Sequence, residues 1–389
     1  MKQGTGKTRV ALEIAESTDS TLILFLVPNS LKHNIIEEIK KWKLSLQYII
    51  ETYEGISQSD KRYLKLLDDL QNEKVMIIAD ESVFIKNGQA KRYSRILKIR
   101  DLSEYRLILN GTPITKNEWD IYYQMKFLSD KIINMDESEF LHTFFKKIKF
   151  KRKNEREKEF YKLSDVNIDY LKRLIEPYVY EVDLELDIKE NITRKTILSS
   201  EVTDAKYAEL KKQLLEVIEF AEETTIVSML SNIQYVTFTD EERCIEIAKD
   251  LQNIGQSIVF NTYRKEQDII SSYLDCYVIN GDTSSDERNV IINQFKNDNK
   301  PLLMIFGVGA FGHNFQFTNK LAFTSLTFDY GKIEQAEYRI KRLGQKREIE
   351  YIHYESNLGI YHMIKENIEK KRYLHDTIIR DLSRIKELL

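Results

Sequence analysis

The chain has 389 residues, 42% of them hydrophobic and 31% charged, with a formal net charge of −3; this is enough for two to three soluble domains with sizeable cores. No apolar run reaches the roughly 20 residues of a membrane helix and no signal-peptide pattern opens the chain, so the protein reads as intracellular and cytoplasmic, with no membrane partner. The charge balance excludes a globally basic nucleic-acid binder while leaving room for a basic groove, and Cys244 and Cys276 lack the spaced partners of a zinc or redox site, so they read as free thiols.

The first informative stretch is Gln3-Gly4-Thr5-Gly6-Lys7-Thr8, the second half of a phosphate-binding loop. Its glycines let the backbone wind tightly, so that successive N–H groups and the following helix dipole converge on one anion. In that reading Gly4, Thr5, Gly6, Lys7 and Thr8 bind the phosphates of a nucleoside triphosphate, Lys7 reaching the β- and γ-phosphates and the Thr8 hydroxyl holding Mg²⁺. Val10, Ala11, Ile14 and Ala15 supply the apolar stripe of the helix. The full pattern would put its first glycine at Met1, so the short match needs support from elsewhere.

Thr21 to Val27 then reads as a strand buried on both faces of a parallel sheet. Pro28-Asn29-Ser30 stops it, and a helix through Leu31, Ile35, Ile36 and Ile39 follows. Val75 to Ala79 is a second buried strand and ends in Asp80-Glu81. Carboxylates at the carboxyl end of such a strand sit where α/β sheets bind ligands. Asp80 would share the Mg²⁺, and Glu81 would orient or deprotonate the attacking water. Arg106 to Leu109 is a third strand, closed by Asn110-Gly111-Thr112-Pro113.

In this order, GTGKT, VPNSL, DESVFIKN and LILNGTPI resemble the first motor domain of superfamily 2 helicases, and the DES…IKN and NGTPI forms look like the Swi/Snf-type branch of double-strand DNA translocases. The resemblance makes Gly111 and Thr112 part of the element that couples ATP state to DNA grip, and Lys86-Asn87 the tail of the Asp-Glu motif.

Residues 135–237 are expected to be a helical insertion. Within them Lys146 to Lys162 carries nine Lys or Arg against three Glu; it reads as a solvated helix face, with phosphate-backbone contact as the other reading. The resembled family places a basic run in this zone, whereas Val179 to Glu185 here is acidic.

A second α/β pattern follows, with strands at Ser257–Phe260, Cys276–Ile279, Leu302–Phe306, Leu321–Phe328 and Glu350–His353, and a helix over Asp286–Phe295 capped by Ser285. The glycine-rich loop Gly307 to Phe315 could approach a phosphate of ATP or DNA, or be a mere turn; Gly309, Gly312 and Asn314 are its candidate contacts. In Gln335 to Gln345 a helix would put Gln335, Arg339 and Arg342 on one face. Two arginines there suit a γ-phosphate, and Gln335 a nucleotide contact. This stretch also resembles the last motif of the Swi/Snf-type motors, and GDTSSDER, GVGAFGHNF and Phe328-Asp329 precede it in the family's order.

The resemblance therefore implies an α/β chain of two RecA-like motor domains, residues 1–134 and 238–358, with the insertion between them and a helical tail over 359–389. It implies an ATP hydrolase that uses ATP and Mg²⁺ at the interface of the two domains and moves along nucleic acid, above all double-stranded DNA. Only Met1 and Lys2 precede Gln3, so the family's strand before the loop is missing, and a fragment or late-start reading is expected; intact mass of the native product decides it. The rival is a degenerate motor acting as a non-catalytic DNA- or protein-binding module. A P-loop kinase or GTPase leaves the second sheet unexplained. Small size and high Lys, Ile and Asn content resemble the motors of phages, for which the site of action would be the host cytoplasm.

Overall fold

The structure, a computed structural model, describes residues 4–111, 119–150, 158–164, 166–182, 186–309, 315–370 and 382–389. The chain divides into two compact units, one of Met1–Phe150 with Lys158–Glu185 and the other built on Leu186–Leu389.

In the first unit the order is α1 (Lys7–Glu16), β1 (Leu22–Val27), α2 (Lys32–Trp42), β2 (Gln47–Thr52), α3 (Tyr53–Gln58), α4 (Asp60–Leu70), β3 (Val75–Asp80), α5 (Lys91–Arg100), β4 (Ser103–Leu109) and α6 (Asp120–Leu128). The strands form one parallel sheet in the order β2-β1-β3-β4. Every residue of β1 and β3 is buried, because alternate side chains enter two separate cores. Leu22, Leu24, Leu26, Val75 and Ile77 pack with Tyr53, Leu66 and Ile96 on one face. Ile23, Phe25, Val27, Met76 and Ile78 meet Ala11, Leu12, Ala15, Ile35 and Ile39 of α1 and α2 on the other. Helices on both faces are what a parallel sheet requires.

The expected strands are present, and β2 is an addition. Its Gln-Tyr-Ile-Ile-Glu-Thr sequence is exposed at the start and buried only at Thr52, as suits the edge of a sheet. Beyond β4, α6, α7 (Glu137–Phe144) and α8 (Ile168–Ile175) gather Tyr122, Met125, Phe140, Phe144 and Leu171 into a core of their own. The basic run does not form the expected helix face. It contributes to an antiparallel hairpin of β5 (Phe145–Phe150) and β6 (Lys158–Leu163), in which Phe145 and Leu163 tie the base to that core.

The second unit is a six-stranded sheet in the order β7-β12-β11-β8-β10-β9, all parallel: β7 (Glu190–Ile197), β8 (Ile258–Asn261), β9 (Tyr277–Ile279), β10 (Leu302–Ile305), β11 (Lys320–Phe323) and β12 (Ile349–Ser356). Its helices are α9 (Glu201–Val217), α10 (Glu223–Phe238), α11 (Glu241–Ile254), α12 (Arg264–Tyr273), α13 (Ser285–Lys296), the short α14 (Phe306–Gly309), α15 (Tyr330–Glu337), α16 (Gly359–Glu369) and α17 (Leu382–Leu388). Cys244 is buried and Cys276 half-buried, both free.

Three differences from the sequence reading have physical reasons. Strand β7 lies in the stretch expected to be helical and pairs with β12 along eight residues. Most of its alternate residues are exposed, so it carries no long apolar run. Strand β11 stops at Phe323 because Thr324 and Ser325 turn their hydroxyls to a buried carboxylate, Glu266. The cap of α13 is Ser284, one residue earlier than expected, in a capping box with Glu287. Helices α16 and α17 also do more than trail. Ile360, Tyr361, Ile364, Ile385 and Leu389 belong to the main core of the second unit, and the Tyr207 hydroxyl donates to the Leu389 carbonyl at 2.9 Å.

Candidate functional site

In the first unit the glycine loop leads straight into α1. Gly4 and Gly6 have φ of 77° and 81°, left-handed backbone that glycine adopts at little cost, and Gly6 is the N-cap of α1. Its carbonyl accepts the first helical bond from the Val10 N–H at 3.1 Å. Lys7 and Thr8, half-buried, form the first turn. No side chain would obstruct a β-carbon at Gly6, so Gly6→Ala should cost about 1–2 kcal/mol through backbone conformation alone. Urea unfolding of the full chain measures this, and an unchanged midpoint would rule the loop geometry out.

At the end of β3 the Asp80 carboxyl is buried and its Oδ1 accepts from the Glu81 N–H at 3.0 Å. Burial raises its pKa, opposed by the positive charge of Lys7 and by the Glu81 hydrogen bond. Lys7 therefore stands where its charge acts on the Asp80 carboxyl. Glu81 has φ of 50°, left-handed backbone that costs a glutamate energy. The chain turns there before running into Ser82–Ile85.

The Asp80 carboxyl binds a proton more tightly folded than unfolded, so between the two pKa values the folded state holds more protons and stability falls as pH rises. Asp80→Asn should thus melt higher than wild type at neutral pH without nucleotide, the gap closing on acidification to the ordinary carboxylate range near about pH 4. Thermal melts across pH test this; a pH-independent gap would contradict it.

Several supporting contacts were not foreseen in the sequence reading. The Tyr53 hydroxyl donates to the Asp80 carbonyl at 2.8 Å, and its ring stacks on Phe84 at 5.4 Å. Ser82, buried, donates to Gln124 Oε1 at 2.6 Å. The Asn110 amide donates to Ser82 Oγ and to Gln124 Oε1, both at 2.8 Å. Lys86 pairs with Asp120 at 3.3 Å. These bonds fasten the ends of β3 and β4 to α6. The partners lie up to 42 residues apart, and the available signal was a buried-type Gln among the apolar residues of α6. Gly111 is the last described residue before 112–118, so Thr112 lies outside the described residues.

In the second unit Gln335 lies in the last turn of α15, which ends at Glu337. The single helix face expected for Gln335, Arg339 and Arg342 is not formed. The Arg339 N–H turns back to the Ala336 carbonyl at 3.0 Å, and its own carbonyl accepts from the Phe315 N–H at 3.0 Å. Gln345 holds the turn from inside, donating to the carbonyls of Thr318 at 2.8 Å and Ile340 at 3.3 Å. Gly344, with φ of 99°, allows the reversal. Arg339 is buried, and Arg342 Nε donates to the Tyr338 carbonyl at 2.8 Å. The two arginines thus sit in a packed turn beside Gln335 rather than along a helix.

Glu266 is the other unforeseen residue. Fully buried, it accepts from Thr324 Oγ1 at 2.6 Å, Ser325 Oγ at 2.8 Å and the Thr262 N–H at 3.2 Å. Burial raises its pKa and the charge of buried Arg243 opposes the rise. It ties together the carboxyl ends of β8 and β11, the strand that leads to α15. In the glycine-rich loop, Gly309 closes the short turn of α14, while Gly312 and Asn314 lie outside the described residues.

The donor set of the first unit fits ATP and Mg²⁺: left-handed glycines opening a helix, a lysine acting on a buried carboxylate, and a second carboxylate beside it. Among the described residues no helix is long and apolar enough to cross a membrane.

Comparison with known proteins gives two family matches. The family described as SNF2-related domain matches residues 32–244, and the helicase conserved C-terminal domain matches residues 240–344. The DNA annealing helicase and endonuclease ZRANB3 of Bos taurus is 24% identical over 91% of this chain, which spans 36% of that protein. The ATP-dependent helicase YqhH of Bacillus subtilis, described as uncharacterized, is 23% identical over 93% of this chain and 72% of its own. The Sulfolobus solfataricus SWI2/SNF2 ATPase core, solved in complex with dsDNA, is 21% identical, with 100% of this chain and 89% of that chain covered at a TM-score of 0.38.

Proposed function

Because the chain belongs to the SNF2-related, Swi/Snf-type family of superfamily 2 helicases, we propose that it is an ATP-driven motor that moves along double-stranded DNA. What supports this reading is that left-handed Gly4 and Gly6 open α1 and the buried Asp80, followed by Glu81, ends β3 of the same unit, with the Lys7 charge acting on the Asp80 carboxyl. In this reading the phosphate loop and the carboxylate pair, distant in sequence, act together at the end of β3 in one parallel sheet.

In this proposal Gly4, Thr5, Gly6 and Lys7 hold the phosphates of ATP, and Thr8 and Asp80 hold Mg²⁺, which neutralises charge on the phosphate oxygens. Glu81 orients the attacking water and takes its proton. Arg339 and Arg342 of the second unit supply positive charge for the γ-phosphate, with Gln335 as a nucleotide contact. Gly111, Thr112, Gly309, Gly312 and Asn314 are assigned to coupling and nucleic-acid contact. Grip on the phosphate backbone makes binding salt-dependent and weakly dependent on base sequence.

ATP hydrolysis measured alone, with duplex DNA, with single-stranded DNA and with RNA, at low and moderate salt, tests the proposal. Stimulation by duplex DNA is expected. Absence of hydrolysis under every condition by a folded chain would replace the motor with a non-catalytic binding module.

A further inference from the structure

The turn at Asp80-Glu81 is braced by side chains that the assignment of the reaction does not use. Glu81 lies at φ 50° and ψ 55°, a left-handed setting that costs a residue with a β-carbon energy. Such strain persists only where neighbours over-determine it. Here both flanking peptide groups are held. The Asp80 carbonyl, just before Glu81, accepts from the Tyr53 hydroxyl at 2.8 Å, and the Glu81 carbonyl accepts from the Phe84 N–H at 3.0 Å. The Tyr53 and Phe84 rings lie face to face, 5.4 Å between centres and 3° between planes. The two anchors are therefore fixed to each other as well as to the turn.

Arg92, in the first turn of α5, joins them. Its Cζ stands 5.6 Å from the centre of the Phe84 ring, in range for a cation–π contact, and its Nη1 donates to the Phe84 carbonyl at 3.4 Å. Among the described residues its buried Nε has no hydrogen-bond partner. A buried donor left unpaired costs the fold, so stability alone accounts poorly for an arginine here. What Arg92 does reach is the site. Burial pushes the Tyr53 hydroxyl well above its ordinary range, the charges of Asp80 and Glu81 push the same way, and the charge of Arg92 opposes them. The hydroxyl thus stays protonated at neutral pH, a constant donor to the Asp80 carbonyl, and Arg92 acts on the same group as the two carboxylates.

We propose that Tyr53, Phe84 and Arg92 are positioning residues for ATP hydrolysis, holding Glu81 in the backbone setting from which its carboxylate orients the attacking water. The inference rests on the reading of Glu81 as the base and adds the groups that fix its place. Placement matters because a shift of about 1 Å in a reacting group can cost about 10²-fold in rate.

The test uses the full chain. Tyr53→Phe removes one hydroxyl and keeps the ring, Arg92→Met removes the guanidinium and keeps an apolar stem, and Arg92→Lys keeps the charge. Tyr63→Phe is the control, since Tyr63 packs in the same core as Tyr53 and its hydroxyl has no hydrogen-bond partner among the described residues. Steady-state ATP hydrolysis with duplex DNA and titration of a fluorescent ATP analogue are measured for each. Tyr53→Phe and Arg92→Met are then combined with Glu81→Gln and followed in single turnover. Both should lower kcat by about 10- to 10²-fold while the analogue binds as in wild type. Arg92→Lys should recover most of the loss, and Tyr63→Phe should match wild type. In the Glu81→Gln background neither should lower the residual rate further, because residues that act through one group are not additive. A general loosening of the fold would instead give the same factor in both backgrounds. Arg92 is half-buried, so Arg92→Met carries the test should Tyr53→Phe fail to fold. If wild type hydrolyses ATP and the folded variants keep its kcat, or if their loss persists in the Glu81→Gln background, the positioning assignment is wrong while the motor stands. If wild type hydrolyses no ATP, the motor reading and the positioning assignment fall together.

Discussion

Lys7→Ala is expected to lower ATP turnover by a factor of at least about 10² to 10³, the scale of removing one preorganised group that stabilises developing charge. The substitution has two effects of the same sign. It removes the cation assigned to the β- and γ-phosphates, and it withdraws the positive charge that holds the Asp80 pKa down. Without that charge the Asp80 carboxyl takes up a proton more readily. Glu81→Gln should lose turnover to a similar extent by a different route. The amide keeps the side-chain length and the left-handed backbone at φ of 50°, so folding and nucleotide binding persist while the base is gone. Steady-state ATPase together with titration of a fluorescent ATP analogue separates the two: weak binding and slow turnover for the lysine variant, normal binding and slow turnover for the glutamine variant. Full activity in either would refute the assignment of the site.

The second large effect concerns Arg342 and Arg339. Arginines that offer positive charge to a γ-phosphate contribute about 10³ to 10⁵ in rate, so Arg342→Ala should lower kcat by about 10³. Its guanidinium donates a hydrogen bond to the Tyr338 carbonyl within the same turn, and losing that bond should cost about 1 kcal/mol of stability. Arg339 is buried, so Arg339→Lys, which keeps the charge but loses the planar fork, is the gentler probe and should also reduce kcat. The signature is a fall in kcat with nucleotide binding retained, because the groups assigned to the phosphates lie on the other unit. A change in KM alone would place these arginines outside the chemistry.

These expectations differ in how far they could be reached from residues alone. Strands β1 and β3 were legible because they are buried on both faces, which demands an unbroken apolar run. Their helices were legible because the apolar stripes of α1 and α2 repeat at helical spacing. Strands β2 and β7 were not, since each lies at a sheet edge, where half-exposed polar residues are tolerated and the partner strand supplies the hydrogen bonds. The basic run from Lys146 was misread for a related reason. Dense charge in a soluble protein usually marks a helix face, but here the pairing of β5 with β6 and the seating of Phe145 on the α6–α8 core decide the outcome.

The site divides in the same way. Gly4, Gly6, Lys7 and Asp80-Glu81 could be singled out as candidates in sequence, because a glycine loop and a strand-end carboxylate pair are local patterns with local causes: positive φ, a helix start and a buried strand. Membership of the family followed from the order of those patterns along the chain. The groups that hold the patterns in place come from distant stretches, Tyr53 beneath Asp80, Gln124 between Ser82 and Asn110, Glu266 between β8 and β11, and Gln345 inside the arginine turn. Nothing local requires a Gln or a Glu at those positions. A buried polar group left unpaired is costly and a paired one is stable, and which pairs form is settled only when the strands are brought side by side. Sequence by itself determined the chemistry and the order of the motifs, since these depend on residue type and backbone conformation within a few positions. Tertiary structure decided where α15 ends, which strands form the sheet edges and which buried groups brace the site, since these depend on hydrogen-bond partners that only folding supplies.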